Sequence, residues 1–337
     1  YDTQLHYELS LRYWLELLTF KPEQVLIDLH PQYVSSILGK QIAAETGAEV
    51  KAIQHHEAHA MAILAEHNKC QTEERILCVV WDGTGLGWDG QIWGGESFLY
   101  EQFRLTRVAH LPYVPVLGGD KMAQEPRLAA LSLAKRHPFL MSFLESYFEP
   151  NEWVVYQGLL NHAHIHGSSM GRLFDAVSAL LGIGTTQSYE GEAAMRLEAQ
   201  AWRWLRTNNW PTLPAALLQF QEGFPLEAFL AYLVKSRIQG RTVPELAAAF
   251  HVFLGQYIHF QAQIHQVQTL AFSGGVFQNA LLTTWLRAHL SPTYELLFHT
   301  LLPANDEHLA LGQMVRWQVE TQPITSYSLN YVSRNSR

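Results

Sequence analysis

The chain is short of cysteine, of charge and of long apolar runs, and each shortage closes off a class of function. Among 337 residues there are two cysteines. Cys70 and Cys78 flank a polar loop at the start of an expected strand, which is neither a disulfide framework nor a cysteine metal site. No apolar run reaches the roughly 18 residues that would cross a bilayer, and the N-terminus has no basic-then-apolar signal design. A cytoplasmic location with no membrane partner is expected. The chain does not begin with Met, and a fragment and a natural stand-alone form are both open. Charged residues make up 16% against 48% apolar, and the net charge is −8. That balance describes a packed globular protein and argues against a nucleic-acid surface. Two catalytic patterns are missing as well. The glycine turns have no P-loop lysine, and the run after His56 is not His-Glu-x-x-His, because position 60 is Ala.

What is present is an alternation of short apolar runs and helical periods. Residues 24–28 read as a buried strand bounded by prolines, followed by a helix over 33–45, a strand over 49–54, a helix over 56–67 and a strand over 76–81. This order implies parallel pairing with helices on the sheet faces. Strands near 91–100 and 103–110 read as antiparallel hairpins. After Pro126 the pattern turns helical, over 127–136, 139–147, 171–181, 191–205, 225–234 and 243–265. The α/β pattern then returns with a strand at 269–273, a helix at 276–290, a strand at 294–299 and a helix at 306–319. The division expected is a first α/β lobe over 1–126, a helical insertion over 127–267, a second α/β lobe over 268–319 and a polar tail over 320–337.

Chemistry gathers at five places. His55 and His59 are four apart, so a helix following the strand would carry both imidazoles on one face, a spacing that suits one metal ion. Surface or core histidines are the plain alternative. Asp82-Gly83-Thr84-Gly85 ends an apolar strand, where glycines let backbone N–H groups approach an anion and the carboxylate can hold a metal; an ordinary Asp-Gly turn is the competing account. Ser273-Gly274-Gly275-Val276 joins a strand to a helix and aims a helix N-terminus at whatever lies above it, with Asn279 one turn further on. Asp306 precedes the last helix and is either a helix cap or a carboxylate ligand. His55, His59 and one Asp would make a two-histidine, one-carboxylate set suited to Fe(II) or Zn. Ser168-Ser169-Met170-Gly171-Arg172-Leu173-Phe174-Asp175 places Arg172 and Asp175 three apart, where they pair with each other or meet ribose and phosphate. His162, His164 and His166 alternate nearby with no matching carboxylate and are expected to face solvent.

Taken in order, these motifs resemble the C-terminal carbamoyltransferase domain of the HypF family of hydrogenase maturation proteins. The likeness rests on Asp28-Leu-His-Pro-Gln-Tyr33, Gln54-His-His-Glu-Ala-His59, Asp82-Gly-Thr-Gly85 and Trp93-Gly-Gly-Glu96. It continues through Gly118-Gly-Asp120, Glu125-Pro-Arg127, Gly171-Arg-Leu-Phe-Asp-Ala176, Tyr189-Glu-Gly191, Ser273-Gly-Gly-Val-Phe-Gln-Asn279, Asn305-Asp306 and Ala310-Leu-Gly-Gln313.

The resemblance implies an α/β fold of duplicated actin-like, RNase H-related lobes, as in sugar kinases, with a large helical insertion. It implies a divalent metal, Fe(II) or Zn, on His55, His59 and Asp306. It also implies a pocket for ATP or AMP, in the form of carbamoyl-adenylate, lined by Gly83, Thr84, Gly85, Ser169, Gly171, Arg172, Asp175, Gly191, Gly274, Gly275 and Asn279, with Asp82 as the catalytic carboxylate. The implied reaction moves the carbamoyl group to the C-terminal cysteine of a HypE-like acceptor, as precursor of the cyanide ligands of a NiFe site. Adenylating and acylphosphatase domains, in cis or in trans, would supply the donor. Two departures stand out. Glu307-His308 follow Asn305-Asp306 where the family usually has Gly-Gly, and the chain is expected to begin past the first strands of the family's domain. O-carbamoylation of a small-molecule hydroxyl and a non-catalytic nucleotide-binding scaffold are the competing functions.

Overall fold

In the computed structural model, residues 2–221 and 223–321 are described. Helix α1 (Asp2–Leu17) leads into strand β1 (Gln24–Asp28), helix α2 (Val34–Thr46), strand β2 (Glu49–Ile53), helix α3 (His55–Glu66) and strand β3 (Ile76–Leu86). Strands β4 (Ile92–Glu101) and β5 (Arg104–His110) follow, β4 pairing antiparallel with β3 and β5 antiparallel with β4. The helical stretch holds α4 (Lys121–Gln124), α5 (Pro126–Leu133), α6 (Pro138–Glu145), α7 (Pro150–His162), α8 (Met170–Leu180), α9 (Glu192–Leu205), α10 (Leu226–Ile238) and α11 (Val243–Ile264). Two short strands, β6 (Val114–Pro115) and β7 (His166–Gly167), border it. Strand β8 (Thr269–Ser273), helix α12 (Ala280–Leu290), strand β9 (Glu295–Phe298) and helix α13 (Leu309–Thr321) complete the described chain.

The architecture is a mixed α/β fold with a large helical stretch. β1 and β2 form a two-stranded parallel sheet. The other seven strands share one sheet in the order β6-β7-β4-β3-β8-β9, with β5 on β4. Strands from 76–110 and from 269–298 therefore lie in one sheet, joined where β3 pairs parallel with β8. β3 is central and buried on both faces, and its period of two sorts the side chains. Leu77, Val79 and Trp81 enter the large core against α5, α8, α11 and α12. Ile76, Cys78 and Val80 enter a smaller core beneath α3. α13 crosses α3 closely at Gly312, where a Cβ would lie 1.9 Å from the Ala58 carbonyl oxygen.

Several sequence expectations shift by local chemistry. The Asp82–Gly85 run does not turn. It stays in β3, with an irregularity in its pairing to β4 between Trp81 and Gly85. The helix expected from 276 begins only at Ala280, because Gly274 takes a φ of +101° and a 3-10 turn fills Gly275–Gln278 before Asn279 caps the helix. The helix expected from 306 begins at Leu309 after a 3-10 turn at Asp306–His308. α1 and α7 were not anticipated. Of the polar tail expected over 320–337, residues 322–337 lie outside the described residues, and 320–321 belong to α13.

Candidate metal and nucleotide site

Strand pairing explains how the distant residues meet. The parallel register sets Asp28 beside Ile53, two residues before His55. Asp28 Oδ2 lies 2.9 Å from His55 Nδ1. Gln54 caps α3 by accepting from the Glu57 N–H at 2.8 Å, which fixes the start of the helix and with it the shared face of His55 and His59. The register of β3 on β8 ends with Val80 beside Ser273, so Asp82, still within β3, lies just past that parallel pairing beside the Gly274-Gly275 turn at the carboxyl end of β8. Such ends are where open α/β sheets bind ligands.

Four side chains converge there. His55 Nε2 lies 3.3 Å from Asp82 Oδ2 and 3.7 Å from Asp306 Oδ1. His59 Nε2 lies 3.8 Å from Asp82 Oδ2 and 3.4 Å from Asp306 Oδ1. One ligand atom from each of the four falls within 4.8 Å of all the others. Asp306 is free for this role because Asn305, not Asp306, supplies the cap, its side chain accepting from the Glu307 N–H. His56 is outside the set, its Nδ1 accepting from the Gln54 amide at 3.1 Å. His162 and His164 are exposed, and His166 is half-buried.

The cluster fits a divalent cation on two grounds. His59 Nε2 is buried, faces both carboxylates and makes no hydrogen bond. The local field also favours positive charge. Burial alone would lower the His55 pKa, yet Asp28, Asp306 and Asp82 raise it well above the ordinary value. Asp82 is held well below the carboxylate range against the cost of its burial, by His55 and His59. Asp306 is held lower still by the same two imidazoles. A field that favours a proton at that point favours a cation.

The far end of α3 organises the loop that delivers Asp306. Glu66 accepts from the Thr300 N–H at 2.6 Å, the Leu301 N–H at 2.7 Å, the Thr300 hydroxyl at 2.9 Å and His299 Nδ1 at 2.6 Å. Against the cost of burial, those backbone groups and His299 hold its carboxyl down to about 2. The same loop carries His308, buried with Nε2 2.7 Å from His59 Nδ1. Burial first, and then the His59 charge, push the His308 pKa down to about 3.

Asp82 and Asp306 open onto a cavity of about 660 Å³ lined also by Gly83, Thr84, Gly171, Arg172, Asp175, Gly191, Gly275 and Asn279. A second cavity of about 760 Å³ adjoins it across Tyr33, Gly83, Thr84, Arg172 and Glu190, and reaches Gly85 and Ser169. Of the sequence-selected residues, Gly274 lines neither cavity. Its N–H donates to the Ala304 carbonyl at 3.0 Å, and a Cβ there would sit 2.3 Å from the Trp81 carbonyl oxygen. Gly275 donates its N–H to Asp82 Oδ1 at 3.3 Å. Asn279 is occupied too, its Oδ1 accepting from the Leu282 N–H and its Nδ2 meeting His251. Ser169 caps α8 by accepting from the Arg172 N–H and donates its hydroxyl to the Gly83 carbonyl, so it shapes the wall where Gly171 passes Gly83. Gly191 takes a φ of +79° at the start of α9.

Arg172 and Asp175 form an ion pair at 3.0 Å. Even so, Arg172 Nε and Nη1 and Asp175 Oδ2 are buried without a hydrogen bond. Burial raises the Asp175 pKa to about 6 although Arg172 opposes the shift. Sequence reasoning gave no role to Asp28, Tyr33, Glu66, Ser273, His299 or His308. Asp28 and Tyr33 stood in a quoted motif, but only strand pairing shows what they face.

Comparison with known proteins places these residues in a family. Residues 78–313 match the family described as Carbamoyltransferase, Kae1-like Domain, second subdomain, and residues 1–66 match the HypF Kae1-like domain. The chain is 37% identical to the carbamoyltransferase HypF of Rhodobacter capsulatus over 88% of its own length and 39% of the relative's. It is 32% identical to a carbamoyltransferase HypF homolog of Cupriavidus necator, covering 89% of this chain and 78% of that one. A crystal structure of full-length HypF in the phosphate- and nucleotide-bound form superposes with a TM-score of 0.80 at 26% identity, over 96% of this chain and 42% of that one. The chain thus spans about two-fifths of the length of the full-length relatives. Among the described residues no helix is long and apolar enough to cross a membrane.

Proposed function

Since the chain belongs to the HypF carbamoyltransferase family, we propose that it performs the transfer step itself, moving a carbamoyl group from carbamoyl-adenylate to the C-terminal cysteine thiolate of a HypE-like acceptor, toward the cyanide ligands of a NiFe site. The observation that carries this reading is the continuity of the His55–His59–Asp82–Asp306 cluster with the 660 Å³ cavity, a volume within the roughly 300–1,000 Å³ of small-molecule sites. The nucleotide in the bound relative supports assigning that cavity to the adenylate.

The thiolate attacks the carbamoyl carbon, a C–S bond forms, the C–O bond to the adenylate phosphate breaks, and AMP leaves with the electron pair. A divalent metal, Fe(II) or Zn, held by His55, His59, Asp306 and Asp82, would supply Lewis-acid stabilisation of developing negative charge. Arg172 faces the cavity with Nε unpaired, its Nη1 being held by Asp175 at 3.0 Å, and is assigned to the leaving phosphate. Gly83, Thr84 and Gly171 let the nucleotide lie close to the backbone. Asp82, fixed by the Gly275 N–H, keeps the cluster's carboxylate aimed into the cavity. The acceptor thiol must come from another molecule, because burial pushes Cys70 up to about 12 and Cys78 higher still.

The chain supplied with a family adenylating domain, carbamoyl phosphate, ATP and a HypE-like acceptor should raise the acceptor's mass by one carbamoyl group. Asp82→Ala, folded, should leave it unchanged. No mass shift with the wild-type chain, metal bound and adenylate forming, would refute the transferase reading in favour of the scaffold.

A further inference from the structure

His55 and His59 are oriented by different chemistry. His55 Nδ1 meets the Asp28 carboxylate, the usual partner of a metal-binding imidazole. His59 has no carboxylate behind it. Its Nδ1 meets His308 Nε2 at 2.7 Å, with Ser273 Oγ further off at 3.3 Å.

The protons in this arrangement can be assigned from acceptors that have none to give. His308 Nδ1 lies 2.7 Å from the Pro303 carbonyl oxygen, which only accepts, so Nδ1 carries the proton. The ring is buried among His59, His299 and Ser273, and as a neutral imidazole it presents a lone pair at Nε2. Ser273 cannot protonate that nitrogen. His299 donates its Nδ1–H to Glu66 and accepts at Nε2 from the Ser273 hydroxyl, 3.0 Å away. The short contact is then attractive in one direction only, with His59 Nδ1–H donating to His308 Nε2. The opposite tautomer of His59 would set two lone pairs against each other.

We infer that His308 is the positioning residue of this site, locking His59 in the Nδ1–H tautomer so that its bare Nε2 faces Asp82 and Asp306, the task Asp28 performs for His55. The inference rests on the metal reading of the cluster. It also gives a purpose to the bulky His308 beside Asp306.

Two measurements test it. Nitrogen NMR of imidazole-labelled, metal-free wild-type protein should show a proton on His59 Nδ1; a neutral His59 ring bearing its one proton on Nε2 would overturn the inference. Zinc affinity by chelator competition should fall about 10–100-fold in His308→Leu, as for other lost partners of a metal-binding histidine. His308→Gln, whose amide oxygen accepts from His59, should restore binding to near wild type. Undiminished affinity in the Leu variant, or equal loss in the Leu and Gln variants, would contradict it. If wild-type protein takes up no Zn²⁺, the metal reading fails, and the tautomer spectrum still judges His308.

Discussion

The two walls of the site are built on opposite plans. In the histidine–carboxylate wall nearly every polar atom that points away from the cluster has a fixed partner: Asp28 behind His55, His308 behind His59, Gly275 N–H behind Asp82, and Glu66 clamping the loop that brings Asp306. In the wall contributed by α8, Arg172 Nη1 and Asp175 Oδ2 hold only each other, as an ion pair at 3.0 Å, and Arg172 Nε is buried with no partner. A buried polar atom without a partner costs on the order of 1–3 kcal/mol. The first wall is therefore complete without a nucleotide, whereas the second keeps hydrogen-bonding capacity in reserve. On the proposed function, the first wall would hold a cation and the second an anionic ligand.

The largest effect should come from breaking the first wall. His59→Ala should drop bound metal from about one equivalent to none, read by elemental analysis after purification without chelator, and His55→Ala should do the same. Full metal content in both variants would move the site elsewhere.

Next in size is an attack on the seam between the walls. A Cβ on Gly275 would lie 3.1 Å from Asp82 Oδ1, and valine would push further into the cavity. Gly275→Val should weaken AMP binding roughly tenfold or more, in line with the 1–3 kcal/mol typical of overpacking, while the circular dichroism spectrum stays native. Wild-type affinity in the folded variant would remove the nucleotide from this cavity.

The smallest test sets the walls against each other through pH. Glu66, lowered from 4.5 to about 2, binds fewer protons folded than unfolded. Its stabilising contribution is present above pH 4.5 and is lost as pH falls toward 2. Asp175, raised from 3.8 to about 6, binds more protons when folded. Its contribution is present below pH 3.8 and is lost as pH rises through 6. Each shift corresponds to about 3 kcal/mol. Urea unfolding should find that Glu66→Gln removes a loss of stability on the acid side, whereas Asp175→Asn removes a loss between about pH 4 and pH 6. Parallel pH profiles for the two variants would contradict the contrast.

Much of this was legible in the sequence, for reasons that differ by residue. The strand at Thr269–Ser273 emerged with its expected bounds because a buried apolar run between turn residues admits few alternatives. The i, i+4 spacing of His55 and His59 needed only a helix to bring the rings together. Asp306 was grouped with the two histidines and Asp82 picked out apart from them, but their meeting depends on β3 pairing with β8 and on a loop anchored 233–235 residues downstream of Glu66. The roles of Gly274 and Asn279 were not legible. Glycine and asparagine at a strand–helix junction suit an anion cradle and a tight turn with a cap equally well, and packing against Trp81 and His251 decides how their own polar atoms are used. His308 read as an intrusive bulk beside a ligand until the fold put it behind His59.

If the two walls form one site, the AMP phosphate binds beside the metal, which phosphorus NMR of AMP added to the Co²⁺-loaded protein detects. The phosphate resonance should be strongly broadened by the paramagnetic ion in the wild type and remain sharp in His59→Ala protein treated in the same way. AMP that binds wild-type protein with a sharp phosphate resonance, cobalt being bound at one equivalent, would show that cluster and nucleotide occupy separate places.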